Sequence, residues 1–222
     1  AIEGMAEACR ALDYPVVSGN VSLYNETQGL GVQPTPAVGG VGLLTNAHQR
    51  VGSAFTHLGH SILLLGTSAG HLGASLYLRE IAGREEGAPP PVDLFLERRH
   101  GSLVRSLIAH GMLSACHDIS DGGLLVALAE MCLAHGIGAQ VRFTTDMPLH
   151  AFAFGEDQAR YLLAVSPEQK DAVMLQLNQN EVPFTDLGIT APDFLVVEDT
   201  LRIPVDYLQS LHETPLPEWM AA

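Results

Sequence analysis

Lysine is nearly absent from the sequence, which contains one lysine (Lys170) and ten arginines among its 222 residues. Against these 11 basic residues stand 25 aspartates and glutamates, so the formal net charge is −14. A chain with this balance repels both a phosphate backbone and an anionic membrane surface. The composition therefore argues against nucleic acid as a partner and excludes a polybasic membrane patch.

The sequence also lacks a long apolar run. The longest, residues 124–129, is far shorter than the ~18 residues that a membrane-spanning helix needs. The N-terminus carries Glu3 and Glu7 where a signal peptide would carry basic residues. We therefore expect a cytoplasmic protein without a membrane partner.

Cysteines are few and cannot all pair. Cys9, Cys116 and Cys132 are an odd number and include no C-x-x-C spacing, which fits neither a disulfide framework nor a cysteine zinc site. We expect three reduced, buried thiols. The sequence also lacks a Walker A motif and a G-x-G-x-x-G fingerprint, so both common nucleotide-binding folds are disfavoured.

The first 50 residues differ in pattern from the rest. A helical pattern begins directly after Ala1, which predicts that the chain is the C-terminal part of a longer protein. The pattern then predicts, in order, a helix, a strand, a long loop or irregular hairpin, and a buried strand (2–12, 14–18, 20–35 and 37–44). A polar run over 45–52 predicts a domain boundary.

Beyond this boundary, strand and helix patterns alternate to the end of the chain. The predicted strands are 61–66, 114–117, 140–143, 161–165, 184–189 and 194–197. The predicted helices are 73–81, 92–110, 122–135 and 167–180, the last with Ser166 as N-cap and Pro167 in its first turn. Strands and helices mixed in this way predict a layered α/β or α+β domain.

The most specific stretch is residues 17–27, VSGNVSLYNET, directly after a predicted strand. A glycine at position 19 allows a phosphate or a sugar to approach the backbone closely. The amide of Asn20 can give Mg²⁺ a neutral oxygen ligand. The alternative is an ordinary turn, since Gly and Asn both tolerate positive φ.

A second stretch, residues 117–123 (HDISDGG), lies between a predicted strand and an apolar helix. Such a junction exposes helix N-terminal N–H groups, which suit anions. Asp118 and Asp121 would then either hold a cation or cap the helix. We favour capping, because Asp121 stands where an N-cap belongs.

A third stretch, residues 66–70 (GTSAG), matches the G-x-S-x-G pattern of a hydrolase nucleophile elbow. It predicts Ser68 as a nucleophile, with an aspartate and then a histidine later in the chain. Because the pattern fixes only three positions, an ordinary glycine-rich turn is the competing interpretation.

Several of these runs together resemble the phosphoribosylformylglycinamidine synthase family, the PurL-type enzymes of purine biosynthesis. The most specific are YPVVSGNVSLYNET at 14–27 and PTPAVGGVG at 34–42. Looser likenesses to the wider superfamily of aminoimidazole ribonucleotide synthetases occur at 72–78, 92–94, 117–123, 129–131 and 154–160. Two residues depart from the family pattern: Asp157 stands where a serine is commoner, and Ala74 where a glycine is usual.

The resemblance implies a mixed α+β chain made of two parts. Residues 1–48 would end an ATP-binding N-terminal domain of the PurM type, and residues 49–222 would form a layered α/β domain like the C-terminal domain of PurM. It further implies Gly19 as an ATP contact, Asn20 as a magnesium ligand and Ser22 as a contact to the ribonucleotide substrate. No catalytic residue is implied here, because the family's catalytic histidine lies in the N-terminal half.

The implied reaction is an ATP-dependent C–N ligation that converts formylglycinamide ribonucleotide and glutamine-derived ammonia into formylglycinamidine ribonucleotide. ATP and Mg²⁺ are the implied substrate and cofactor, and the fragment alone is expected to be inactive. The implied partners are the missing N-terminal half, a glutaminase subunit or domain and a small accessory subunit. A homodimer of the fragment is a further expectation.

Two other functions compete with this one. The chain would be an assembly module that closes the synthetase without a ligand site of its own, or a serine hydrolase that uses Ser68. Aminoimidazole ribonucleotide synthetase and thiamine-monophosphate kinase share the superfamily architecture, but the run YNET at 24–27 favours the synthase.

Overall fold

The structure, a computed structural model, describes residues 1–21 and 25–221. Helix α1 spans Ile2–Ala11, as the apolar pattern predicts. It ends where Asp13 takes a positive φ of 54° and Pro15 removes the next backbone donor. The side chain of Arg98 fixes this end by donating from Nη1 to the carbonyl of Ala11 at 3.0 Å.

A small antiparallel hairpin follows, formed by β1 (Glu26–Thr27) and β2 (Leu30–Gly31). It confirms the irregular hairpin predicted within 20–35, while residues 22–24 lie outside the described part of the chain. The turn takes positive φ at Gln28 and Gly29.

The two strands predicted at 14–18 and 37–44 are wrong as described elements, because neither segment pairs with a strand. Every residue of both segments is exposed, and Val41 and Leu43 are 97% and 92% accessible. A strand satisfies its backbone N–H and C=O groups through a neighbour, and a β-rich sequence without one stays extended. The Tyr14 hydroxyl, which donates to the carbonyl of Gly39 at 3.1 Å, joins the two segments.

After a short 3₁₀ turn at Ala47–Gln49, the rest of the chain forms one seven-stranded sheet with helices on both faces. The strands are β3 (Ser61–Leu65), β4 (Ala115–Asp118), β5 (Ile137–Val141), β6 (Tyr161–Val165), β7 (Phe184–Pro192), β8 (Phe194–Val197) and β9 (Leu201–Pro204). The helices are α2 (Leu94–Ala109), α3 (Gly123–Leu133), α4 (Leu149–Phe154), α5 (Lys170–Gln179), α6 (Val205–Glu213) and α7 (Pro215–Ala221).

The strand order across the sheet is β4-β6-β3-β7-β5-β8-β9. Every neighbouring pair is antiparallel except β5 and β8, which run parallel. β3 lies near the middle and is buried along its whole length. A strand covered on both faces has a continuous apolar sequence, which explains the run ILLL at 62–65.

Alternation along β3 divides the core into two layers. Ile62 and Leu64 face a cluster built with α3, α4 and α6, and Leu63 and Leu65 face a second cluster built with α2 and α5. The result is a three-layer mixed α/β domain, which confirms the predicted fold class.

Most predicted elements beyond residue 50 are confirmed, and the differences lie at element ends. The predicted helix at 73–81 is wrong over its first part, since only Tyr77–Ile81 is helical, as a single π turn. The helix predicted from Pro167 begins at Lys170, because residues 167–169 form a separate turn in which the Ser166 carbonyl accepts from the amides of Gln169 and Lys170. Three helices, α4, α6 and α7, and strand β9 were not predicted. Among the described residues, no helix combines the length and the apolar character needed to cross a membrane.

Replacing Leu163 with alanine should lower the free energy of unfolding by about 2–5 kcal/mol, because this fully buried residue of β6 packs between α2 and α5. Urea unfolding measures the loss. Leu58→Ala is the control, since Leu58 is 56% exposed and its loss should stay within about 0.5 kcal/mol. Equal losses in the two variants would contradict the assigned core.

The imidazole of His60 should make the chain less stable in mild acid. Burial, and then the neighbouring His57 ring stacked at 4.9 Å, lower the pKa of His60 from its usual 6.5. The native state then binds fewer protons than the unfolded chain, so this contribution is present above about pH 6.5 and is lost as the pH falls below it.

Urea unfolding of the native chain and of His60→Gln at pH 7.5 and 5.5 measures this effect. The native chain should lose more stability on acidification than His60→Gln does. His135→Gln, at an exposed position, is the control and should behave as the native chain. An identical pH dependence in all three proteins would refute the role of His60.

Candidate functional site

The predicted ligand residues Gly19 and Asn20 lie on an open segment. Every described residue of 12–21 is exposed, and no atom lies within 4 Å of the position that a Cβ on Gly19 would take. Within the described residues, the structure shows no hydrogen bond to the Asn20 side chain. Ser22, the predicted substrate contact, lies outside the described residues. The backbone at Gly19 and the side-chain amide of Asn20 are therefore accessible to a ligand.

A second group of polar residues lies where three strand ends meet. Because β3 and β4 both run antiparallel to β6, their last residues, Leu65 and Asp118, pair with Tyr161, the first residue of β6. The loop 155–160, which precedes Tyr161, therefore meets the segments that follow β3 and β4. This loop has the sequence GEDQAR.

Glu156 on this loop joins the other two segments. Its Oε1 atom accepts from the amide of Leu76 at 2.9 Å, just before the π turn, and from the amide of Gly122 at 2.8 Å, at the start of α3. The residue is 9% exposed. A buried donor that loses its acceptor is costly, so this one carboxylate fixes both helix starts.

The neighbouring Asp157 accepts three hydrogen bonds from consecutive amides. Its Oδ2 atom accepts from Ala69 at 3.0 Å and Gly70 at 2.9 Å, and its Oδ1 atom accepts from His71 at 3.2 Å. The arrangement fixes the loop that follows β3.

Arg160, whose side chain is fully buried, completes the group. Its guanidinium donates to the carbonyl of Gly155 at 2.6 Å and to Ser68 Oγ at 2.9 Å, and its Nε donates to the carbonyl of Asp157 at 3.0 Å. Burial lowers the pKa of Arg160, and the charge of Asp157 opposes that effect. Sequence reasoning assigned no role to these residues, although three charges directly before a buried strand were a signal.

The prediction that Asp121 caps α3 is wrong. The N-cap position is Gly122, which takes a left-handed φ of 77°, and no side chain caps it from within the helix. Glu156 supplies the acceptor instead. A Cβ on Gly122 would lie 2.6 Å from the side chain of Val126, and one on Gly123 would lie 2.6 Å from the carbonyl oxygen of Gly155. Both glycines are therefore required by close packing.

Asp121 instead lines a pocket of about 480 Å³ between the start of α3 and the segment around the π turn. Its charged lining residues are Arg79, Arg84, Glu85, Glu86, Asp121 and Glu156. Arg79 pairs with Glu80 at 2.7 Å, and Arg84 pairs with Glu86. The pocket thus offers both signs of charge to a polar ligand.

The predicted alternative, in which Asp118 and Asp121 hold a cation, finds no cluster of ligands among the described residues. Asp118 is exposed, and its oxygen Oδ1 lies 3.5 Å from Nδ1 of His117, whose other nitrogen lies 3.3 Å from Glu130 on α3. Among the described residues, no three His, Cys, Asp or Glu side chains gather in a geometry that holds a metal ion.

The hydrolase interpretation of Ser68 is wrong on geometry. A nucleophile elbow needs a helix directly after the serine, but the chain stays irregular from residue 67 to 75. The Oγ atom of Ser68 accepts a hydrogen bond from Arg160 rather than facing a histidine base.

The cysteines are free thiols. Cys132 is buried, and Cys9 and Cys116 are half-buried, so the predicted burial holds fully for one of the three. Burial raises the pKa of both Cys116 and Cys132 to about 12. Neither thiol is therefore a nucleophile near neutral pH.

A family model and the sequences of known proteins indicate the same family for this chain. Residues 58–198 match the model of the C-terminal domain of AIR synthase related proteins. Over its whole length the chain is 53% identical to the phosphoribosylformylglycinamidine synthase subunit PurL of Parvibaculum lavamentivorans and 50% identical to that of Methylocella silvestris. The chain spans 30% of the length of each of these relatives.

Solved structures show the same fold. PurL from Thermotoga maritima in complex with FGAR covers 73% of this chain at a TM-score of 0.63 and 18% identity, and the match takes up 30% of that protein. The same protein in complex with ATP also covers 73% of this chain, at a TM-score of 0.58. At this level of identity the likeness bears on the fold alone.

Replacing Glu156 with alanine should lower the free energy of unfolding by about 2 kcal/mol, because the buried amide of Gly122 and the partly buried amide of Leu76 lose their acceptor. Hydrogen exchange should accelerate first at Leu76 and Gly122. Glu85→Ala is the matched control, since Glu85 lines the same pocket but is exposed; it should change stability by less than about 0.5 kcal/mol. Unchanged exchange at both amides in Glu156→Ala would contradict this role.

Proposed function

Because the chain belongs to the AIR synthase related protein family and carries that family's C-terminal domain, we propose that it is part of a phosphoribosylformylglycinamidine synthase. The observation that carries the proposal is the identity of 53% along the whole chain to a PurL subunit. The proposed reaction joins ammonia derived from glutamine to formylglycinamide ribonucleotide and consumes ATP. The location of this step is the cytoplasm.

The proposed chemistry has two stages. The γ-phosphoryl group of ATP moves to the amide oxygen of the substrate, and ADP leaves. Ammonia then attacks the activated carbon, and phosphate leaves with that oxygen to give the amidine. Both stages spread negative charge over phosphoryl oxygens, which backbone amides and cations stabilise.

Within this chain, we propose that the segment around Gly19 supplies the ligand contacts. Gly19 would let the nucleotide phosphates approach the backbone, Asn20 would ligate Mg²⁺, and Ser22 would contact the ribonucleotide. The open surroundings of Gly19 and the lack of a hydrogen bond to Asn20 within the described residues support these roles.

The residues present fit Mg²⁺ in part. Mg²⁺ prefers oxygen ligands, and Asn20 offers one neutral amide oxygen. The remaining ligands would come from the rest of the protein, the nucleotide and water. When bound, the ion would neutralise charge that develops on the phosphoryl oxygens.

The main partner in this proposal is the rest of the synthetase, with residues 1–48 as the end of its ATP-binding domain and 49–222 as the domain that follows. Two extended, valine-rich segments at 14–18 and 37–44 support an interaction with the rest of the synthetase, because they are exposed and pair with no strand among the described residues. Unpaired strand-like backbone is a template for pairing with another sheet. A glutaminase and a small accessory subunit complete the proposed assembly, and the fragment alone would be inactive.

An assembly module is the second candidate function. The tightly connected loops at 66–76, 119–122 and 155–160 favour it, because they stabilise the domain without presenting a catalytic group. Deletion of residues 49–222 from the whole protein separates the candidates. Lost solubility with retained nucleotide binding by the remainder, which still carries Gly19, Asn20 and Ser22, would favour the module. Lost nucleotide binding by a remainder that stays soluble would show instead that residues 49–222 contribute a ligand contact, which would contradict a purely structural role. The fragment is also proposed to form a homodimer, and analytical ultracentrifugation would measure its mass in solution.

Asn20→Ala and Ser22→Ala, each made in a whole synthetase that carries this chain as its C-terminal part, should lower ATP- and ammonia-dependent product formation by about tenfold or more, which corresponds to 1.4 kcal/mol of transition-state stabilisation. The stability of Asn20→Ala should change little, because Asn20 is exposed. Gln33→Ala, on the same exposed segment, is the matched control and should keep full activity. Full activity of both Asn20→Ala and Ser22→Ala would contradict the proposed ligand contacts.

A further inference from the structure

Three consecutive backbone amides converge on one carboxylate in the loop after β3. The amides of Ala69, Gly70 and His71 all donate to Asp157, at distances between 2.9 and 3.2 Å. Successive N–H groups that point to one spot form a concave nest, and such nests bind anions in many proteins. Here the anion belongs to the chain itself.

The surroundings of the nest also suit an anion. The buried guanidinium of Arg160 has its Nη2 atom 3.9 Å from Asp157 Oδ2 and holds Ser68, the residue before the nest, by a hydrogen bond at 2.9 Å. The Asp157 side chain is 10% exposed, so the spot lies at the margin of solvent rather than in a sealed core. Backbone donors and a fixed cation therefore surround a small, nearly enclosed volume.

We propose that residues 69–71 form an oxyanion site whose occupant is the carboxylate of Asp157. The ligand class is a small oxyanion, and formate is the closest mimic, because truncation of Asp157 to alanine removes one carboxylate group. While Asp157 occupies the nest, the glycine-rich turn after β3 is closed to phosphate and to free carboxylates. Asp157 is thus an internal ligand that fixes the conformation of the loop after β3. This role does not depend on the proposed synthase activity.

Asp93 provides the contrast within the same chain. Its Oδ1 atom also accepts two backbone amides, from Phe95 at 2.9 Å and Leu96 at 3.1 Å, at the start of α2. Asp93 is exposed, however, and its donors are those of an ordinary helix start. Removing Asp93 leaves amides that water can reach, whereas removing Asp157 leaves a preformed anion nest beside a buried cation.

The test uses thermal unfolding of the full chain and of Asp157→Ala in increasing sodium formate, with sodium chloride at equal ionic strength as the reference. Asp157→Ala should unfold several degrees below the native chain, and formate should raise its midpoint saturably by about 2–4 °C beyond chloride. Acetate, which carries an extra methyl group, should be less effective. The native chain and Asp93→Ala should respond to formate as they respond to chloride.

The proposal is overturned if formate and chloride act alike on Asp157→Ala, or if Asp93→Ala gains the same stabilisation from formate. Should Asp157→Ala fail to fold, Asp157→Asn keeps the shape but places an amide where one carboxylate oxygen accepted. Hydrogen exchange in this variant should accelerate at Ala69, Gly70 and His71 relative to the rest of the loop. Unchanged protection of these three amides would also overturn it.

Discussion

A buried arginine and two carboxylates on the loop at 155–160 hold the strand ends of the domain together. Glu156 satisfies the amides that begin the π turn and α3, Asp157 satisfies three amides of the loop after β3, and Arg160 ties the loop to itself and to Ser68. Buried polar groups of this kind are stable only when every partner is present. Each of the neighbouring loops therefore takes its shape from this one, and so does the pocket that Glu156 lines.

The chain has a packed part with a hydrophobic core and a part whose described residues are exposed. The sheet and its helices bury two apolar clusters, whereas the described residues from 12 to 50 are exposed throughout, including valines that prefer strands. Gly19 and Asn20, which are proposed to contact ATP and Mg²⁺, lie in the exposed part. The proposed ligand site therefore needs further walls from outside the described residues, because none of these encloses Gly19 or Asn20.

Carboxylates have two different roles within the packed domain. The carboxylates Glu156 and Asp157 are buried and neutralised locally by amides and by Arg160, so they stabilise the fold. The acidic residues around the pocket, such as Glu85 and Asp121, are exposed and contribute to the net charge of −14. An excess of negative charge of this kind repels free phosphates from the surface.

The sequence by itself determined the elements that consist of short, continuous apolar runs. β6 and β8 match their predicted bounds, and the layered α/β class follows from the same periodicity. The run VSGNVSLYNET and the looser likenesses indicated the synthase family, and the identity of 53% to a PurL subunit along the whole chain agrees with that prediction. Only the tertiary structure decided the rest. Asp121 is not the cap of α3, because Gly122 occupies the N-cap position and its amide donates to Glu156, which lies 34 residues after Gly122. The segments at 14–18 and 37–44 did not become strands, because a strand requires a neighbour that local sequence cannot supply.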